Sequence, residues 1–398
     1  MWQEDPLNSS YDAVIIGGGV HGLATAYFLA RDHGMKNIAV IEKHHIGFGG
    51  SGRNTGIVRA DQRTKETLPF YDEGLRLWPK LTAELDFNLM FFNCGVLNLA
   101  HSEAEMNAMR MNVASAQFLG IESEMVNAKR CKTLIPALDI SDHPRYPILG
   151  GMYHPPGGNL HHDAVIWGLA KGASQKGIHI HQETEVLGIG LKEGSIDSVK
   201  TDKGTIETPR VLNTAGAHSP LISAMVGIRL PIHVLTTQAM VTHPLKPILD
   251  HVVSSEMYAC YVSQTLKGEI AAGAHSDPWP NYTTQTTARH IKHEAEALTE
   301  ILPCLKGVKF MRAWGGPADM TPDMAPLIDG NDHVRGYYMS CGWGDFGFRA
   351  GPVAGKYMAE FIATENYPDV LKPFTLRRYE NYCMMGETAD PVYYGPCN

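Results

Sequence analysis

The stretch Gly17-Gly18-Gly19-Val20-His21-Gly22 constrains this chain more than any other feature. It follows a β-branched, apolar run, Tyr11 to Ile16, and opens the segment Leu23 to Arg31, which reads as a helix with small residues on its inner face. In the pattern G-x-G-x-x-G, Gly17 permits a tight turn, Gly19 lets backbone approach a pyrophosphate, and Gly22 lets helix and strand pack closely. A second buried strand, Asn37 to Ile41, ends at Glu42, where a carboxylate can accept ribose hydroxyl protons. The motif alone is weak evidence. Its setting of strand, turn, helix, strand and acid is strong evidence for a Rossmann-like dinucleotide unit, with FAD and NAD both open at this point.

At 398 residues the chain suits two domains of the usual ~100 to 200 residues each. Its 44% hydrophobic and 19% charged residues are those of a globular protein, and no apolar stretch approaches the ~18 residues of a membrane span. Met1 to Ser10 carries two acids and no apolar run, which is unlike a secretory signal and makes the cytoplasm the expected location. Seven cysteines without a C-x-x-C pair read as reduced thiols, and no metal site is expected. A net charge of -8 without a basic stretch argues against nucleic acid as a partner and favours a small-molecule substrate.

Helical periodicity runs through Lys65 to Leu85 and Ser102 to Ala116. The chain then changes style, because Pro231 to Asp277 is rich in Val, Thr and Tyr. There Tyr258 to Gln264 and Glu269 to Ala274 flank Lys267-Gly268 as an antiparallel hairpin of a second domain. Glycines return at Gly342 to Gly351, and the helical stretch Val353 to Thr364 completes the first domain. The expected fold class is α/β. A Rossmann-like FAD-binding domain from residues 1–88, 155–220 and 325–398 is interleaved with an α+β substrate domain, residues 89–154 and 221–324, built on an antiparallel sheet. The tail Gly386 to Asn398 reads as a surface extension, with a docking arm as the second reading.

Resemblance selects the cofactor. Gly49-Gly50 and Arg53-Asn54-Thr55-Gly56-Ile57-Val58-Arg59 resemble the segment of the glycine oxidase and sarcosine oxidase family that runs beside the isoalloxazine. Val211 to Ser219 is similar to that family's second flavin motif, Glu185-Val186 to its adenine strand, and Gly342 to Arg349 to its last flavin motif, at a helix N-terminus. The resemblance implies non-covalent FAD held by Gly17, Gly19, Gly22, Glu42, Lys43, Gly50, Arg53, Asn54, Thr55, Val186, Ala215, Gly216, Gly344, Phe346, Gly347 and Phe348. Tyr153 to Gly158, His161-His162-Asp163-Ala164-Val165, Trp167-Gly168, Tyr261 to Gln264 and Lys372 to Leu376 resemble the beta subunits of heterotetrameric sarcosine oxidases. That likeness implies FMN attached covalently through His162, a larger alpha subunit and two small subunits as partners, and electrons passing from FAD to FMN at a subunit boundary.

The same resemblance implies oxidation of a secondary or tertiary amino acid, with demethylation of sarcosine first. A dehydrogenase for proline, N-methylglutamate or dimethylglycine is the alternative, and a non-catalytic flavoprotein assembly factor stands behind it. Arg59 matches the family's carboxylate-binding arginine, and Arg349 stands where relatives carry lysine, so a planar fork replaces a point charge. No lysine occupies Ile270-Ala271-Ala272, where monomeric relatives place one to help reduced flavin meet oxygen, which favours transfer to FMN. His218, Tyr258 and Trp314 are further candidates for the pocket wall.

Overall fold

The structure is a computed structural model that describes residues 5–61 and 64–385. The tail, 386–398, read as a surface extension with a docking arm second, lies outside the described residues.

Strands Ala13–Ile16 and Ile38–Ile41 are fully apolar and buried on both faces, as central strands of a parallel sheet must be. They pair in parallel, and the sheet extends through His179–His181 on one side. On the other side come Val211–Asn213, Tyr337–Cys341 and an antiparallel edge, Leu327–Gly330. The middle of the chain and its C-terminal part therefore add strands to the unit begun at residue 13. The glycine turn leads into the helix Val20–His33, which carries Gly19 at its N-cap without a side-chain cap. Helix Gly347–Thr364 crosses this helix at small residues: a Cβ at Gly351 would lie 2.3 Å from Val20, and one at Gly355 would lie 2.6 Å from Ala24. Helices Leu68–Glu84 and His162–Ser174 complete that layer, with Trp78 and Phe28 fully buried between helices and sheet. The antiparallel ribbon Val186–Lys192, Ser195–Thr201 and Gly204–Glu207 covers the opposite face.

Among the described residues the second sheet has eight strands, running from Phe310–Met320 at one edge to Glu124–Asn127 at the other. The expected hairpin is present, Cys260–Gln264 against Ile270–Ser276. This sheet was expected to be antiparallel, and it carries one parallel seam, Val96–Ala100 against Val252–Ser255. The seam joins two distant stretches of chain, and no tight turn connects them to enforce the antiparallel sense. Two helix starts also differ from expectation. The second helix begins at Leu68, where Pro69 fits the first turn, and the last long helix begins at Gly347 and runs through Pro352, whose missing N–H costs one helical hydrogen bond that close packing on Val20 and Ala24 offsets. None of the described helices is long and apolar enough to cross a membrane.

Candidate active site

Between the two sheets lies a cavity of about 1040 Å³, floored by the glycine turn and roofed by the eight-stranded sheet. At one end, Glu42 holds its carboxylate on two backbone donors, Gly18 N–H at 2.8 Å and His44 N–H at 2.9 Å, which leaves each oxygen a further lone pair for a ribose hydroxyl. Lys43 pairs with Glu185 at 2.7 Å beside Val186, and His218 lies there against Tyr282. The glycines are needed where they stand. A Cβ on Gly17 would lie 2.4 Å from the Thr214 carbonyl oxygen, and one on Gly22 would lie 2.1 Å from the Gly17 carbonyl oxygen.

In the middle, Gly50 to Thr55 forms a loop that packs on the helix His162–Ser174 and under strand Phe310–Met320. Asn54 braces it by accepting from Gly56 N–H at 2.7 Å, and Arg53 lies 4.3 Å over the Phe48 ring. Opposite, Gly342 and Gly344 adopt left-handed backbone, φ 70° and 58°, so the chain can turn under the cavity before the helix at Gly347. Asp319 supports that turn by accepting from Gly342 N–H at 2.5 Å, and burial pushes its carboxyl up to about 6. His21 stacks on Trp343 at 4.1 Å, and burial brings its imidazole down to about 3, so it is neutral at physiological pH.

At the far end stand both arginines. Arg59 is buried and makes a fork-to-fork ion pair with Asp61, Nε to Oδ1 at 2.5 Å and Nη2 to Oδ2 at 2.9 Å. The Arg349 guanidinium lies 5.0 Å from the Phe346 ring, its charge acts on both Asp61 and Tyr261, and its carbonyl is held by Trp78 Nε1–H at 3.3 Å. The Tyr261 ring lies over Gly273, its cross-strand partner, where a Cβ would come within 2.1 Å of the hydroxyl. Burial pushes that phenol far up, and Thr55 hydrogen-bonds it.

Every cofactor-binding residue expected from sequence lines this one cavity except Gly22 and His162, and both arginines line it too. Gly22 is buried at the helix-to-turn contact. His162 opens its own helix outside the cavity, with Nδ1 donating to Asp163 Oδ1 at 2.9 Å, while neighbouring His161 caps the helix by accepting from Ala164 N–H. His161, His162 and Asp163 are the one grouping of potential metal ligands among the described residues. Of the three proposed wall residues, His218 reaches the cavity. Tyr258 and Trp314 are corrections. The Tyr258 hydroxyl is drawn away into the core by Glu300 and Tyr146 N–H, and the Trp314 indole is spent on the Arg53 carbonyl at 2.8 Å. Sequence reading missed Asp61, Asn98, Ser254 and Asp319, and took Tyr261 only as part of a family motif without a place in the pocket. Only Asp61, two residues after Arg59, left a local signal.

A dinucleotide fits this cavity on the donor set alone. His21 Nδ1, Trp343 Nε1 and Ser340 Oγ are buried side-chain atoms at its wall with no hydrogen-bond partner among the described residues, and a polar cofactor would satisfy such atoms. The uncapped helix start at Gly19 suits a pyrophosphate.

The chain belongs to the FAD dependent oxidoreductase family, which matches residues 12–361. It is therefore a flavoprotein oxidoreductase. Within that family it is similar to the sarcosine oxidase subunit beta of Rhodobacter capsulatus, 37% identical over 98% of this chain and 93% of the relative. The subunit of that name from Arthrobacter sp is 36% identical over 97% of this chain and 95% of its own length. Among solved structures, L-proline dehydrogenase from P.horikoshii aligns with a TM-score of 0.89 at 28% identity, covering 94% of this chain and 99% of that one.

Proposed function

We propose that this chain oxidises an N-methyl amino acid, sarcosine first, as one subunit of a larger assembly, and that the electrons pass from FAD to FMN carried on His162. The observation that carries the first part is the meeting of Arg59 and Arg349 in the cavity that also takes the glycine turn and the Gly342–Arg349 loop. Relatives named sarcosine oxidase subunit beta support the amine, and the word subunit in their names supports partner chains.

Bound flavin supplies a two-electron acceptor for the C–H bond next to the amine nitrogen. The chain's own residues do the positioning. Arg59 and Arg349 take the carboxylate, whose two oxygens match a guanidinium fork, and so fix the distance from carboxylate to reacting carbon. Buried Phe348, with the ring of Tyr261, excludes water from that end. The FMN assignment is supported by the contact of His162 with Asp163: in a neutral ring, Nδ1–H donated to Oδ1 leaves Nε2 as the nitrogen with the nucleophilic lone pair. The lack of lysine at residues 270–272 supports an acceptor other than oxygen at FAD.

Two measurements test this. Anaerobic sarcosine is expected to bleach the FAD absorbance. Acid-denatured protein, purified with its partners, is expected to yield a His162 peptide heavier by one FMN. A protein bleached by L-proline and not by sarcosine, with the His162 peptide unmodified, selects the dehydrogenase reading that the structural likeness to L-proline dehydrogenase favours.

A further inference from the structure

We propose that Asp61 is the positioning residue that aims Arg59 at the substrate carboxylate, an inference that rests on the substrate-binding reading of Arg59 above. Arg59 and Asp61 leave the short strand Ile57–Val58 together and are both buried, with Asp61 the more completely so. Asp61 consumes the Nε and Nη2 edge of the guanidinium, and its Oδ2 also accepts from Asn98 Nδ2 at 2.9 Å. Asn98 Oδ1 accepts from the Ser254 hydroxyl, and Ser254 Oγ in turn accepts from Arg59 Nη1 at 3.5 Å. The four side chains close a ring.

That ring is bedded on the sheet. Asn98 and Ser254 face one another in register across the parallel seam, so their spacing is set by backbone pairing. An arginine stem has many rotamers, and in a site that must bind a small carboxylate each wrong rotamer costs affinity. Asp61 removes that freedom before substrate arrives and supplies the buried guanidinium with a permanent counter-ion. Both Asp61 oxygens are occupied by donors. Burial alone would raise its pKa, yet Arg59 beside it, together with His154 and Arg349, outweighs burial and holds the carboxyl at about 2. Asp61 therefore has neither the lone-pair access nor the basicity to take a proton from the amine. Its part is geometric, exerted through Arg59.

The test uses the FAD-loaded chain with its partner subunits. Asp61→Asn puts an NH2 group against one of the donors and releases Arg59. The KM for sarcosine and the Kd for acetate, a carboxylate that cannot be oxidised, read from the flavin absorbance, are each expected to rise about tenfold, as loss of one charge-assisted hydrogen bond predicts. The kcat is expected to change less than about twofold, because the interaction lost is made equally before and during the reaction. In an Arg59→Met background the same Asp61→Asn change is expected to do nothing further, since Asp61 acts only through Arg59. Unchanged acetate affinity in Asp61→Asn, or an equal loss in both backgrounds, overturns the proposal. If Asp61→Asn does not keep its fold and flavin, Asn98→Ala decides. It opens the ring with the ion pair intact and is expected to weaken acetate about threefold, less than Asp61→Asn because Arg59 keeps its counter-ion, and an unchanged Kd overturns the proposal. Acetate affinities that behave as expected in a protein that no N-methyl amino acid reduces would leave Asp61 in its role and refute only the substrate.

Discussion

Asp319 shows at the scale of one residue how this site stores a cost. Its carboxyl is buried under the Gly342–Gly344 turn, and burial raises it from 3.8 to about 6 against the opposing pull of backbone donors. Between those values the folded chain keeps a proton that the unfolded chain has released. The stability this group contributes is thus complete below about pH 4 and is lost as pH rises through about 6, about 3 kcal/mol in all. Asp319→Asn should remove that fall, which thermal melts of both proteins across the window would record as a wild-type melting temperature that drops relative to the variant's as pH rises from about 4 to about 6. A constant difference would refute it. Gly17, Gly19 and Glu42 were readable in sequence because a phosphate-binding turn concentrates its requirements in a few adjacent positions. Asp61, Asn98 and Ser254 were not, since their ring exists only after strands far apart in sequence come into register.

At the scale of elements, the crossing of helices Val20–His33 and Gly347–Thr364 sets the distance between the pyrophosphate turn and the arginine end of the cavity. Glycines 351 and 355 make that crossing close. Gly351→Val must push the helices apart, because even one Cβ there falls 2.3 Å from Val20. Overpacking of this kind costs about 1–3 kcal/mol, and a lower melting temperature together with a reduced flavin-to-protein ratio is the expected result. Full flavin occupancy would mean that the crossing does not govern the cofactor site. The hairpin at Cys260–Ser276 was legible from β-branched residues around a short turn. The early start of the last helix was hidden by its glycines and by Pro352, which weaken helix propensity while close packing on Val20 and Ala24 outweighs it.

For the whole molecule the cavity of about 1040 Å³ is lined from both sheets, and filling it should tie the sheets together. Protein stripped of FAD is expected to melt lower, and restoring FAD at 100 times its Kd should return about 2.7 kcal/mol, with a melting temperature that climbs with FAD concentration. A melting temperature indifferent to FAD would mean that unfolding begins elsewhere. The α/β class was legible because the Rossmann-like unit declares itself locally. The parallel seam was not, because nothing in either strand states which way its partner runs.

That seam bears on how the chain can be made and inherited. Residues 96–100 emerge from the ribosome long before residues 252–255, and the stretch between them includes the helix His162–Ser174 and the strand Val211–Asn213 of the other sheet. Until that stretch is finished, the early strand keeps an open edge, a template for aggregation in any nascent or truncated product. No single cut separates the two sheets. A recombination event with one junction anywhere between residues 100 and 310 would leave each half missing strands from both, so exchange within that span breaks both sheets at once.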